Sequence, residues 1–158
     1  MKHSSKILLT ILASIFVFVA MYFTSISLAE KSEVEYTNQL MKELHVQPMI
    51  IKEGEPLSEE YVERIQKAVG QGALFGKNEF VKYLGYSAIL IGVTLLILSV
   101  VDLGVSFSMS IILLAPVLLF MWVSYTILGE INFVFYVSLI LGGLGPMFTD
   151  KGDATEWR

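Results

Sequence analysis

Apolar residues follow one another in four long runs, and polar residues separate these runs. The first run covers residues 7–23, and the region 83–149 holds three more, because only Asp102 and Glu130 interrupt it with charge. A transmembrane helix needs about 20 mostly apolar residues. The pattern predicts an all-α integral membrane protein in which four transmembrane helices lie in the lipid bilayer.

The polar region between the first two runs predicts a small module outside the membrane. We divide the chain into a first transmembrane helix at 1–29, an extracytoplasmic module at 30–82, a three-helix transmembrane region at 83–149 and a cytoplasmic tail at 150–158. The module falls below the ~60 residues at which an isolated domain is already marginal. We therefore expect the module to be stabilised by packing against the membrane helices or against a partner.

The first half of the module continues the first helix. Apolar residues keep a spacing of three and four beyond the first charges, which predicts a helix to about His45. Pro48 ends this helix, because the residue before a proline is pushed to extended geometry. Residues 49–51 then predict a short strand.

The second half of the module is predicted to be an amphipathic helix. Ser58 has the character of an N-cap, and the two acids after it suit the first turn of a helix. Gly70 and Gly72 are expected to end this helix, and Asn78 to cap the next one, which enters the second span. Three residues of the apolar face are candidates for partner binding: Leu57, Tyr61 and Ile65.

The letters IIKEGEPLSEEYVERIQKA, within residues 49–69, resemble a known segment. It belongs to the extracellular region of bacterial seven-helix receptors coupled to HD-type phosphohydrolase domains, where a strand and an "eGe" turn lead into a helix. The resemblance covers about twenty residues and none of the catalytic parts of those receptors. It implies an extracytoplasmic location and a small strand–helix fold, and it transfers no activity.

The N-terminus carries a signal-like flank. Lys2 and Lys6 precede the first apolar run, and Ser27 and Ala29 are small residues at the positions of a signal-peptidase cut after residue 29. The apolar run is longer than the usual signal peptide, which favours a retained signal-anchor. We expect both termini in the cytoplasm and the protein in the inner (cytoplasmic) membrane, although a plain count of Lys and Arg in the loops favours the opposite orientation.

Small residues recur on helical faces of the spans. Such residues let helices approach closely in lipid, where packing rather than hydrophobicity drives association. We therefore expect these faces to pack against one another or against a partner subunit. The candidate packing residues are Gly85, Ala88, Gly92 and Ser99 in the second span, Ala13 and Ala20 in the first, and Gly142 and Gly145 in the fourth.

The later spans carry a proline and two acids. Pro116 should bend the third span, because it lacks an N–H and its ring clashes with the preceding turn. Residues 129–132 form a turn so short that the third and fourth spans must be an antiparallel hairpin. Glu130 in this turn and Asp102 after the second span are candidate functional acids. The four-span topology places them on opposite sides of the bilayer, and Glu130 is the stronger candidate.

Composition excludes several classes of function. The net charge is −4, which argues against nucleic acid as a partner. The chain has no cysteine and only two histidines, so thiol catalysis, Cys-ligated zinc, iron–sulfur clusters and haem are not expected. No catalytic, cofactor-binding or metal motif is apparent, and we predict that the protein is not an enzyme.

Three functions fit these features. The first is a non-catalytic accessory or assembly subunit of a larger membrane complex, with a membrane protein or a second copy as partner. The second is a self-associating pore, holin-like protein or small transporter, which would need polar groups lining a water path. The third is a membrane sensor in which residues 30–82 receive the input.

Overall fold

The chain folds into four helices. The computed structural model describes residues 3–46, 58–101 and 107–149, and the helices are α1 (His3–Glu43), α2 (Glu59–Val100), α3 (Phe107–Leu128) and α4 (Phe133–Thr149). The first three are long and apolar enough to cross a membrane, and α4 has a shorter apolar part. An all-α, multi-pass membrane architecture follows.

Helices α2 and α3 form the centre of the bundle. Each of them contacts α1, α4 and the other central helix, whereas the described parts of α1 and α4 do not contact each other. The helices alternate in direction. Helix α1 therefore lies along one side of the α2–α3 pair, and α4 lies along the other.

Helices α1 and α2 continue well beyond the bundle. At 1.5 Å per residue each is about 60 Å long, roughly twice the ~30 Å of a bilayer core. Their outer parts, residues 30–43 and 59–82, are charged and lie side by side; we call this pair the stalk. The Ser32 hydroxyl lies 3.3 Å from that of Tyr83, which sets the first charged residues after the α1 span level with the last before the α2 span.

The stalk corrects the expected strand–helix module. Within the described residues the 30–82 region is helical over 30–43 and 59–82 and contains no strand, and residues 49–51, the expected strand, lie outside them. The expected end of a helix at Gly70 and Gly72 is wrong, because α2 runs unbroken through both and through Asn78. A glycine inside a helix costs only about 1 kcal/mol, and packing offsets that cost here.

Other expectations about helix ends hold. Helix α1 continues past the membrane to Glu43, close to the expected end at His45. Ser58 is the N-cap of α2, and its side chain accepts a hydrogen bond from the Tyr61 backbone N–H. The α1 end is closed by His45, which has a φ of 56°, the left-handed geometry common after a helix.

Aromatic rings fix α1 against the central helices. The Phe18 ring stacks on the fully buried Phe120 of α3, with centroids 5.4 Å apart. Tyr22, one turn further along α1, meets the edge of Phe80 of α2 at 5.6 Å. These contacts lie in the half of the bundle nearest the stalk.

Helix α4 returns along α2 after a tight turn. Gly129, with a φ of 75°, occupies the left-handed region that favours glycine, and Asn132 caps α4 by accepting a hydrogen bond from the Val134 N–H at 3.1 Å. Helix α4 continues through residues 142–146 as far as Thr149.

Candidate functional site

A close helix contact in the bundle lies between α2 and α4. Three glycines mark it: Gly85 faces Val134, Gly92 faces Ser138, and Gly145 of α4 faces Ser99. A methyl group built on Gly92 would lie 2.5 Å from the backbone oxygen of Ser138, closer than nonbonded atoms tolerate. The two backbones approach this closely only because side chains are missing between them.

A hydroxyl group joins the two helices beside this contact. Ser138 Oγ of α4 donates a hydrogen bond to the backbone oxygen of Ala88 in α2, and both residues are completely buried. In lipid a hydroxyl without a partner is costly, so such a bond helps to hold a helix pair in one register. This interface is the best-defined site in the described chain.

The α2 residues expected to pack are all buried, and each of them faces α4 or bonds to it: Gly85, Ala88, Gly92 and Ser99. Gly142 and Gly145 of α4 are buried in the same region, and a methyl group on Gly142 would meet the Leu114 side chain of α3 at 2.5 Å. The structure thus brings the candidates of the second and fourth spans together.

The candidates of the first span are placed differently. Ala13 and Ala20 are exposed on the surface of α1 in the single chain. The packed face of α1 is instead marked by Ser14, Ser25 and Ala29, each no more than 6% exposed. The helix is rotated relative to the expected face, because the large rings at Phe18 and Tyr22, rather than the alanines, fill the groove beside α2 and α3.

All buried polar side chains of the described residues are serines: Ser14, Ser25, Ser99, Ser110, Ser124 and Ser138. Four of them donate to backbone carbonyls. Ser99 bonds within its own helix, Ser124 reaches the Glu130 carbonyl at 3.3 Å, and Ser14 crosses from α1 to the Ile112 carbonyl of α3 at 2.9 Å. The hydrogen bonds of these serines hold helix ends and neighbouring helices together.

The stalk repeats the small-residue packing outside the bundle. Ala68, Gly72 and Gly76 follow one another at four-residue intervals on α2 and are all buried. A methyl group on Gly72 would collide with the Thr37 side chain of α1, and one on Gly76 with Glu33. The helices therefore lie in close contact along the stalk.

Two further contacts fix the stalk. Tyr36 of α1 stacks on Phe75 of α2, with ring centroids 4.2 Å apart. Near the far end, Arg64 donates to the Leu44 carbonyl at 3.2 Å and pairs with Glu60 at 2.5 Å. The stalk is held along its described length.

The partner-binding candidates lie at the far end of the stalk. Tyr61 and Ile65 are half-buried near the N-terminus of α2, and Leu57 lies outside the described residues. Part of this apolar face is thus already covered within the chain.

The candidate acids do not form a site in the described residues. Glu130 is exposed in the α3–α4 turn, and its backbone carbonyl, rather than its carboxylate, takes part in the Ser124 bond. Asp102 lies outside the described residues. No group of three or more His, Cys, Asp or Glu side chains with the arrangement of a metal site occurs in the described chain.

A shallow groove separates α1 from α3 in the half of the bundle away from the stalk. Its volume is about 480 Å³, and its walls are apolar except for Ser14. Its other walls include Ile11 and Phe18 of α1 and Pro116 and Leu119 of α3. The contrast with the α2–α4 interface is clear: one side of the bundle is tightly packed, and the other is open.

Sequence reasoning missed Ser14, Ser138 and the stalk glycines. The four-residue repeat of Ala68, Gly72 and Gly76 was a usable signal, because small residues at this spacing line one helical face. The two serines carried no comparable signal, since their roles depend on which helix lies opposite.

Four buried serine hydroxyls of the described residues donate hydrogen bonds to backbone oxygens and so contribute to helix packing. No family model, no curated protein and no solved structure matches this chain.

Proposed function

We propose that this protein is a non-catalytic accessory or assembly subunit of a larger membrane complex, and that α1 is the helix that meets the partner. The observation that carries the proposal is the poor coverage of α1. In the most apolar 18-residue segment of each helix, only 6% of the residues of α1 are buried within the chain, against 39% in α2 and 28% in α3. Most of the membrane-facing surface of α1 is therefore accessible to a transmembrane helix of a partner.

Part of the uncovered surface of α1 is a stripe of large apolar side chains. Its residues are spaced by four, four, three and four, which places them on one helical face. All are large, apolar and 43–74% exposed, and they lie away from the packed serine face: Leu8, Leu12, Phe16, Val19 and Phe23. Lipid covers such a stripe in a free subunit, and a partner helix would cover it in a complex.

The same proposal assigns four crossings to the chain. Helix α4 is short, but it runs beside α2 from Gly85 to Ser99, almost the full length of the α2 segment that follows the stalk. It therefore reaches the same depth as a helix that crosses. Four crossings put both termini on one side, which we assign to the cytoplasm, and the stalk on the other side of the inner membrane.

Photo-crosslinking tests the partner directly. A photoreactive amino acid replaces Phe16, which is 74% exposed on the α1 stripe, and the matched control places it at Ile140 of α4, 57% exposed. In native membranes we expect a defined protein adduct from position 16 and lipid adducts from position 140. Lipid adducts alone at both positions, with a monomer in mild detergent, would contradict the proposal.

An adduct with twice the mass of the chain would identify a second copy and favour the self-associating alternative instead. Its pore version has little support from the described side chains. Thr94 and Ser99 of α2 and Thr126 of α3 each donate to a carbonyl of their own helix, so they are poorly suited to line a water path.

The sensor alternative is favoured by one observation, the continuity of α1 and α2 from the stalk into the bundle. A partner that pushes the two stalk helices apart would displace their membrane parts as well. If this is the function, the purified protein should bind a partner through Tyr61 and Ile65, and substitution of both by serine should abolish that binding while the bundle stays folded.

A further inference from the structure

Helix α3 contains a proline whose missing hydrogen bond is replaced by another helix. Pro116 is completely buried in the interior of α3. In an unbroken helix the N–H of residue 116 would bond to the carbonyl of Ile112, but proline has no N–H and its ring pushes against that carbonyl. Ser14 of α1 supplies the donor: its Oγ lies 2.9 Å from the Ile112 oxygen.

This bond satisfies a group that lipid cannot. A backbone carbonyl freed inside a bilayer is costly unless a neighbouring helix or a hydroxyl bonds to it. The Ser14 side chain is 6% exposed, so the bond is shielded from solvent. The geometry of α3 at Pro116 therefore depends on the position of α1.

The surroundings leave room for α1 to move. Ser14, Ile112 and Pro116 all border the open groove of about 480 Å³ between α1 and α3. The stacked pair Phe18 and Phe120 lies on the stalk side of the groove. Because side chains that border an open groove lack protein neighbours on that side, the helices are held less firmly here than at the α2–α4 interface.

We propose that Ser14, Ile112 and Pro116 form a hinge through which the stalk sets the bend of α3. Helix α1 is continuous from Ser14 to the stalk, so a shift of the stalk moves the hydroxyl relative to the Ile112 carbonyl. With the bond made, α3 keeps one shape. With the bond broken, the freed carbonyl favours a more sharply bent α3, in which residues 107–112 turn away from the rest of the helix. The hinge does not depend on the identity of any partner.

Pulsed electron paramagnetic resonance measures this bend. The chain has no cysteine, so two spin labels can be placed at Ile111 and Tyr125, which are both more than half exposed and lie on either side of Pro116. The labelled positions are about 21 Å apart along a straight helix at 1.5 Å per residue. We expect one narrow distance in the unmodified protein and a second, shorter population in Ser14→Ala.

The matched controls separate the hinge from a general loss of packing. Thr10→Val removes an α1 hydroxyl one turn away that bonds only to its own helix, at Lys6, and should leave the distance unchanged. Ser14→Thr keeps the hydroxyl and should also leave it unchanged. Pro116→Ala restores the N–H that satisfies Ile112, so adding Ser14→Ala to it should have no further effect.

A wedge in the stalk tests the coupling at a distance. Gly72→Leu places a large side chain against Thr37 and should push the stalk helices apart. We expect the shorter Ile111–Tyr125 population to appear in this variant and to be absent when Pro116→Ala is also present. The inference is overturned if Ser14→Ala leaves the distance unchanged, if it acts equally with Pro116→Ala, or if the wedge has no effect on the α3 distance.

Discussion

Replacing Gly92 by alanine should force α2 and α4 apart. The added Cβ would lie 2.5 Å from the Ser138 backbone oxygen, 2.9 Å from its Oγ and 3.1 Å from its Cα. Carbon and oxygen rest at about 3.3 Å or more even in close contacts. Two of the three obstructing atoms belong to a helix backbone and cannot rotate away, so the helices must separate by a substantial part of an ångström.

The cost of this separation follows from three contributions. Overpacking a tight interface costs about 1–3 kcal/mol. Stretching the hydrogen bond from Ser138 to Ala88 removes a contact that is worth about 0.6 and at most about 1.7 kcal/mol in a membrane protein. The higher helix propensity of alanine relative to glycine offsets this loss by up to about 1 kcal/mol. We expect a net loss of about 2 kcal/mol, or roughly 30-fold in the unfolding equilibrium.

The control is a glycine on the same pair of helices. A methyl group on Gly143 of α4 has no atom within 4 Å, so Gly143→Ala keeps only the propensity gain and should be neutral or slightly stabilising. The two substitutions are chemically identical, and the expected signs are opposite.

The assay follows the separation of the two helices. A donor and an acceptor dye are attached to cysteines introduced at Tyr86 of α2 and Tyr136 of α4, both exposed. Energy transfer is recorded while SDS is titrated into mild-detergent micelles. Gly92→Ala should unfold at a lower SDS fraction than the parent and Gly143→Ala should not. If the two variants unfold together, the close approach of α2 and α4 is not what stabilises the bundle.

Three further expectations concern the stalk and the α4 cap, and hydrogen exchange of the local amides measures each. Gly72→Ala should speed exchange in the stalk because of the collision with Thr37, whereas Gly70→Ala, with no atom within 4 Å, should slow it slightly. Asn132→Ala should cost the first turn of α4 about 1 kcal/mol, through loss of the cap. Arg64→Met should loosen the end of α1 more than Glu60→Gln does, because the exposed ion pair contributes well below 1 kcal/mol and the bond to the Leu44 carbonyl is lost only with the arginine.

The spans were predictable because the bilayer imposes one strong rule on composition. Runs free of charge revealed α1, α2 and α3, and the short turn at Gly129 predicted the hairpin that α3 and α4 form. The small residues of α2 also pointed to its packed face, since Gly85 and Gly92 repeat on one side of the helix. No sequence feature predicted that the second and fourth spans would pack against each other.

Glycine was the main source of error. Gly70 and Gly72 predict the end of a helix, yet α2 passes through both. A glycine allows a chain to turn and also allows another helix to approach, and a single sequence does not separate the two roles. Only Gly72 has α1 against it, while Gly70 has open space beside it. The difference arises from tertiary contact, which local propensity does not contain.

The same argument explains why the α1–α3 hinge was not foreseen. Pro116 predicts a bend, and this prediction concerns α3 alone. The carbonyl that proline leaves free belongs to Ile112, and its new donor, Ser14, lies almost a hundred residues earlier in the chain. A proline in a membrane helix therefore implies a donor somewhere in the structure, because lipid supplies none. Here the donor lies on α1, which is less covered than α2 or α3, so whatever displaces α1 at Ser14 also acts on the shape of α3.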